Sequence, residues 1–150
     1  MACVVIAEDD ADLLGSYSRI LTRAGHTVIP CPDAGSALAA VRDRRPDLLL
    51  TGVAMPPGLT GLELAAAIKA DPAIADLPII VVTGGWAEMD TTDLPRIARL
   101  LRKPVPAQEL ASQVEAVLAS GRRHHVRLPS QAAPVRSGAP DAGRPGPLNN

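Results

Sequence analysis

The chain has 150 residues, enough for one domain of ordinary size with a real core, and its single Trp, single Tyr and lack of Phe leave Leu, Ile, Val and Ala to fill that core. The net charge of −1 conceals an asymmetry: residues 1–121 carry 15 acids and 10 bases, whereas 122–150 carry one acid, Asp141, and five arginines. No apolar run approaches the roughly 20 residues that span a bilayer, and "MACVVIAEDD" lacks the basic start and long apolar core of a signal peptide, so the sequence predicts a cytoplasmic protein that does not enter a membrane.

The first predicted element is "ACVVIA", a continuous apolar run ending at "EDD", the pattern of a strand buried on both faces of a parallel sheet. Leu13, Leu14, Tyr17, Ile20, Leu21 and Ala24 then recur at helical spacing, with Gly25 ending the helix. "HTVIPC" is a second strand, and Pro30 places it at a sheet edge, where a missing N–H is tolerated. Cys3 and Cys31 fall in these strand-like segments and suit reduced, small core residues better than a redox pair or a metal site. Asp33 or Ser36 caps the next helix, which runs through Ala37, Leu38 and Val41 towards Arg45 and stops at Pro46.

"DLLLTG" is the third strand, and Thr60 with Glu63 forms a capping box for a helix through Leu64, Ala67 and Ile68. "LPIIVVTGG" is the fourth strand. In the segment that follows, "WAEMDTTDLPRIA", Pro95 sits where a helix would run, so a short or irregular helix is predicted. "ARLLRKP" holds a short fifth strand, and Ala107 to Ser120 is a last helix with Leu110, Val114, Val117 and Leu118 on one face, closed by Gly121. Residues 122–150 are rich in Pro, Gly, Ala and Arg without periodicity, which predicts a disordered basic tail after a domain spanning 1–121. There are no internal repeats. The tail lacks the interleaved aromatics or motif of a nucleic-acid binder, and His124 and His125 lack the further ligands that a metal demands.

Five strands alternating with five helices imply an α/β protein with a parallel sheet, right-handed crossovers, helices on both faces and a crevice at the carboxyl ends of the strands. Glu8, Asp9 and Asp10 follow the first strand, Gly52 the third, Thr83 the fourth and Lys103 the fifth, so all converge on that crevice.

In this order and spacing, "VIAEDDADLL", "MPPGLTGLEL", "IIVVTG" and "LLRKP" resemble, over about residues 2–120, the response-regulator receiver domain of two-component signalling. The "MPPG" turn has one residue more than the commonest family form, a variant that resembles receivers attached to, or working with, hybrid histidine kinases. The resemblance implies a flavodoxin-like, doubly wound five-stranded sheet of order 2-1-3-4-5. It also implies an aspartate six places past the proline of "RPDLLLTG" that accepts a phosphoryl group from a phosphohistidine. Counted from Pro46, that position is Gly52.

In phosphoryl transfer the carboxylate is the nucleophile, a divalent ion held by the acidic pair neutralises charge, and the resemblance gives Thr83 and Lys103 the oxygens of the transferred group. Glycine supplies no nucleophile. Thr51 points to the opposite face of its strand, and Asp47 lies about 16 Å away at roughly 3.3 Å per residue, so neither substitutes. The resemblance leaves Glu8, Asp9 and the Ala54 carbonyl as weak Mg2+ ligands, with no cofactor required. Without a third carboxylate, Lys103 can instead pair with Asp9 or Glu8 and close the pocket. Leu100 stands where receivers carry a switch aromatic, and Trp86 reads as partly buried packing, a lid over the crevice or a partner contact.

The sequence therefore predicts a pseudo-receiver: not an enzyme, but a phosphorylation-independent interaction module whose partners are a histidine kinase, a phosphotransfer protein, another response regulator or a second copy of itself. The alternatives are a conventional phosphoacceptor whose position 52 was lost or engineered, and a sensor that binds a small ligand in the emptied crevice. With no output domain following Gly121, direct control of transcription is not expected.

Overall fold

A computed structural model describes residues 2–56, 58–84 and 96–127, the side chains of 121–127 excepted. It divides the chain into two compact units, 1–118 and 119–150. The first contains the strands β1 (Cys3–Ala7), β2 (Thr27–Cys31), β3 (Leu48–Thr51), β4 (Ile79–Thr83) and β5 (Arg99–Arg102). They pair in parallel in the order β2-β1-β3-β4-β5, as the resemblance implies. Pro30 lies on β2, an edge strand, where its missing N–H costs the sheet nothing.

Alternation along the three central strands divides their apolar side chains between two cores. Val5 and Ala7 of β1, Leu49 of β3 and Ile79 and Val81 of β4 face one core, completed by helices α2 (Ala34–Arg44) and α3 (Gly61–Ala70). Val4, Ile6, Leu48, Leu50, Ile80 and Val82 face the other, where Tyr17 and Leu21 of α1 (Ala11–Arg23) meet Leu110, Val114, Val117 and Leu118 of α4 (Ala107–Arg127). Burying an aliphatic side chain of this size contributes about 2 kcal/mol, so the strands read as unbroken apolar runs because both faces carry that gain.

Local chemistry sets the helix ends. Asp10 caps α1, its carboxylate accepting the Asp12 and Leu13 N–H groups at 2.9 and 3.2 Å. Gly25, at φ 97°, takes the left-handed turn that follows that helix. Asp33, rather than Ser36, caps α2 by accepting the Ser36 N–H at 2.7 Å. Both halves of the Thr60–Glu63 capping box are formed, at 3.1 and 2.8 Å.

One helix end corrects the sequence reading. Helix α4 passes through Gly121 and continues to Arg127, because a helical glycine costs only about 1 kcal/mol relative to alanine and the next strong stop is Pro129. The predicted irregular helix with Trp86, and the tail from residue 128, lie outside the described residues, as do the side chains of His124 and His125.

Candidate functional site

The register of the sheet assembles the crevice. Ala7 pairs with Thr51, so the next residues, Glu8 and Gly52, emerge side by side, with the Gly52 N–H donating to the Ala7 carbonyl at 2.9 Å. Thr83 and Arg102 pair at the ends of β4 and β5, and the Lys103 N–H donates to the Thr83 carbonyl at 2.8 Å. Glu8 and Thr83 are both buried, each 2% exposed, whereas Asp9 and Ala54 face solvent. Four residues singled out from sequence, Glu8, Gly52, Thr83 and Lys103, thus meet at one end of the sheet. Asp9 and Ala54 lie at its rim.

The Glu8 carboxylate is held from two sides. Its Oε2 accepts the Asp10 N–H at 3.1 Å, and its Oε1 lies 3.3 Å from Lys103 Nζ, an ion-pair contact outside the alignment of a hydrogen bond. Burial, and to a smaller extent the neighbouring Asp9 side chain, push the Glu8 carboxyl above its ordinary value of 4.5, while the Asp10 N–H and the Lys103 ammonium draw it back. Of the two partners left open for Lys103 by the sequence, the structure selects Glu8.

Gly52 has a specific relation to this carboxylate. A Cβ placed at position 52 would lie 3.0 Å from Glu8 Oε1 and 3.6 Å from its Cδ, so the carboxylate borders the volume that a side chain at 52 would enter. On the other side of Gly52, its carbonyl packs directly against Gly61, where any Cβ would overlap it, and the Gly61 N–H donates to the Val53 carbonyl at 2.7 Å. The turn after β3 is therefore drawn tight onto the start of α3. Leu100 is half-buried and packs against the α2/α3 core, which gives it a structural contact at the position where the resemblance places a switch aromatic.

The arrangement does not fit a divalent cation as it stands. A magnesium ion taking Glu8 as ligand would share that carboxylate with the Lys103 ammonium. The ammonium repels such an ion while the Glu8 and Asp9 carboxylates attract it, so binding would require the ion to displace Lys103 from Glu8. Among the described residues no three His, Cys, Asp or Glu side chains are grouped as a metal site.

A groove beside the crevice was not read from the sequence. Leu13, Tyr17 and Ile20 of α1 face Lys103, Pro104 and Val105 across a cavity of about 460 Å3. Tyr17, one of the residues recurring at helical spacing in α1, is buried, its hydroxyl pushed up by burial and then by the Glu8 and Asp10 carboxylates. Its apolar spacing gave the helix, but only the fold brings the loop after β5 opposite it.

The response-regulator receiver domain model matches residues 4–115. The chain belongs to the response-regulator receiver family. It is 34% identical over 121 residues to the response regulator receiver protein CpdR of Brucella abortus, covering 79% of this chain and 98% of that protein. It is 30% identical to the protein PilH of Pseudomonas aeruginosa, covering 79% and 99%. Against the phosphate regulon transcriptional regulatory protein PhoB of the same species the identity is 31%, and this receiver spans 51% of that protein. Among solved structures, NtrX from Brucella abortus aligns with a TM-score of 0.75 at 28% identity, covering 84% of this chain and 29% of NtrX. The receiver domain of a histidine kinase from Syntrophus aciditrophicus aligns at 0.74 and 23% identity, covering 82% and 94%, a likeness of fold.

Proposed function

We propose that this receiver domain serves two-component or phosphorelay signalling as a protein-interaction module that is not phosphorylated at position 52. The observation that carries the reading is the absence of a side chain at Gly52, at the mouth of β3, with the Glu8 carboxylate beside the place such a side chain would take. Without a carboxylate there, the step in which an oxygen attacks the phosphorus of a phosphohistidine has no nucleophile. What remains is recognition, and the domain is proposed to have no catalytic activity of its own.

The partner class is a histidine kinase, a phosphotransfer protein or another response regulator, and the domain would compete with receivers that do accept phosphate. The groove between α1 and the loop after β5 supports this reading, because it offers Leu13, Ile20 and Val105 beside the crevice rim. Among the described residues no helix is long and apolar enough to cross a membrane. We further propose that the protein works in the cytoplasm, where such kinases present their phosphohistidine.

The test pairs binding with transfer. Calorimetry of the full chain against purified histidine kinases and phosphotransfer proteins is expected to give a saturable complex with at least one of them, and the same phosphorylated partner is expected to transfer nothing to the chain. Phosphoryl transfer to the chain, or the lack of any complex across the panel, would refute the reading.

A further inference from the structure

The crevice brings together three observations that the absence of a nucleophile does not by itself require. Glu8 is nearly sealed from solvent. Its Oε1 contacts the Lys103 ammonium and, among the described residues, has no aligned hydrogen-bond donor. The same oxygen lies 3.0 Å from the Cβ position of residue 52. A buried carboxylate with one oxygen uncommitted to hydrogen bonds is costly unless a charge compensates it, and the compensating charge here is Lys103.

We propose that the Glu8–Lys103 pair replaces the bound divalent cation of this crevice, the ammonium supplying the compensating positive charge and the carboxylate bordering the space above Gly52, so that the site is complete without Mg2+ and excludes it. This rests on the reading of position 52 as lacking an acceptor. It adds that the empty position is closed from within rather than left as an open cation site. The proposal accounts for the inward direction of Glu8. It also explains why an exposed Asp9 alone does not make a site: a magnesium ion needs near-octahedral oxygen ligation, and the crevice carboxylate best placed to share it already faces a cation.

The experiment titrates MgCl2 into the full chain at constant ionic strength and follows the backbone amide resonances of Asp10, Gly52 and Lys103. Four proteins are compared: the native chain, Lys103→Arg, which keeps the charge, and the neutral Lys103→Met and Lys103→Gln, whose amide spectra also report whether they are folded. The native chain and Lys103→Arg are expected to show no saturable shift at millimolar Mg2+. At least one folded neutral variant should show saturable shifts at Asp10 and Gly52, with an apparent affinity at least tenfold tighter than any native response.

Saturation of the native chain at the same concentration as the neutral variants would overturn the proposal, since the ammonium would then not be what keeps the ion out. Silence of a folded neutral variant would overturn it equally. No kinase enters this titration, so its failure is separable from failure of the partner assay.

Discussion

Gly61 is the residue at which the crevice tolerates least, because the Gly52 carbonyl occupies the space of any Cβ there. Relief requires movement of backbone rather than of a flexible side chain, so Gly61→Ala should destabilise the fold by about 3 kcal/mol or more, read as a fall in the urea midpoint. A different prediction concerns the thiols. Burial pushes both Cys3 and Cys31 above 9.0, which lowers the thiolate fraction at any given pH, and Cys31 is also only 4% exposed. Iodoacetamide at pH 8 should therefore modify Cys3 slowly and Cys31 more slowly still, and intact-mass kinetics will check the order. At this scale the sequence identified Glu8, Gly52, Thr83 and Lys103 as one set, but not how they pair. Glu8 and Lys103 are 95 residues apart in the chain, and the parallel register sets them 3.3 Å apart.

Element by element, legibility followed the strength of the local signal. The three central strands were plain because both their faces are buried, and α3 was plain because its capping box is written in adjacent residues. Thr60→Ala should cost about 1 kcal/mol in denaturant titration, since one orphan N–H at the start of α3 loses its acceptor. Because α3 begins against the Gly52 carbonyl, the same change should broaden or shift the Gly52 amide resonance. Asp10 was less legible: it sits in an acidic run that drew a charge-based reading, yet its carboxylate is spent on the first turn of α1. Gly121 misled for a related reason. Glycine is a common helix terminator but only a mild penalty within a helix, and no proline follows closely enough to enforce a stop there.

At the scale of the whole molecule, the alternation of strands and helices was enough to predict a parallel sheet with a crevice at its carboxyl edge, and the strand order observed is the one that the receiver resemblance implies. The groove between α1 and the loop after β5 was not legible, because its two walls lie far apart in the chain and carry no shared sequence pattern. As proposed above, a receiver with this architecture takes part in signalling without accepting a phosphoryl group at position 52. The most direct measurement is intact-mass analysis of the native chain and Gly52→Asp after incubation with acetyl phosphate and Mg2+. No phosphoryl adduct is expected on the native chain, and an acid-stable, base-labile adduct is expected on Gly52→Asp, whose new carboxylate would compete with Glu8 for Lys103. An adduct of the same kind on the native chain would contradict the proposal.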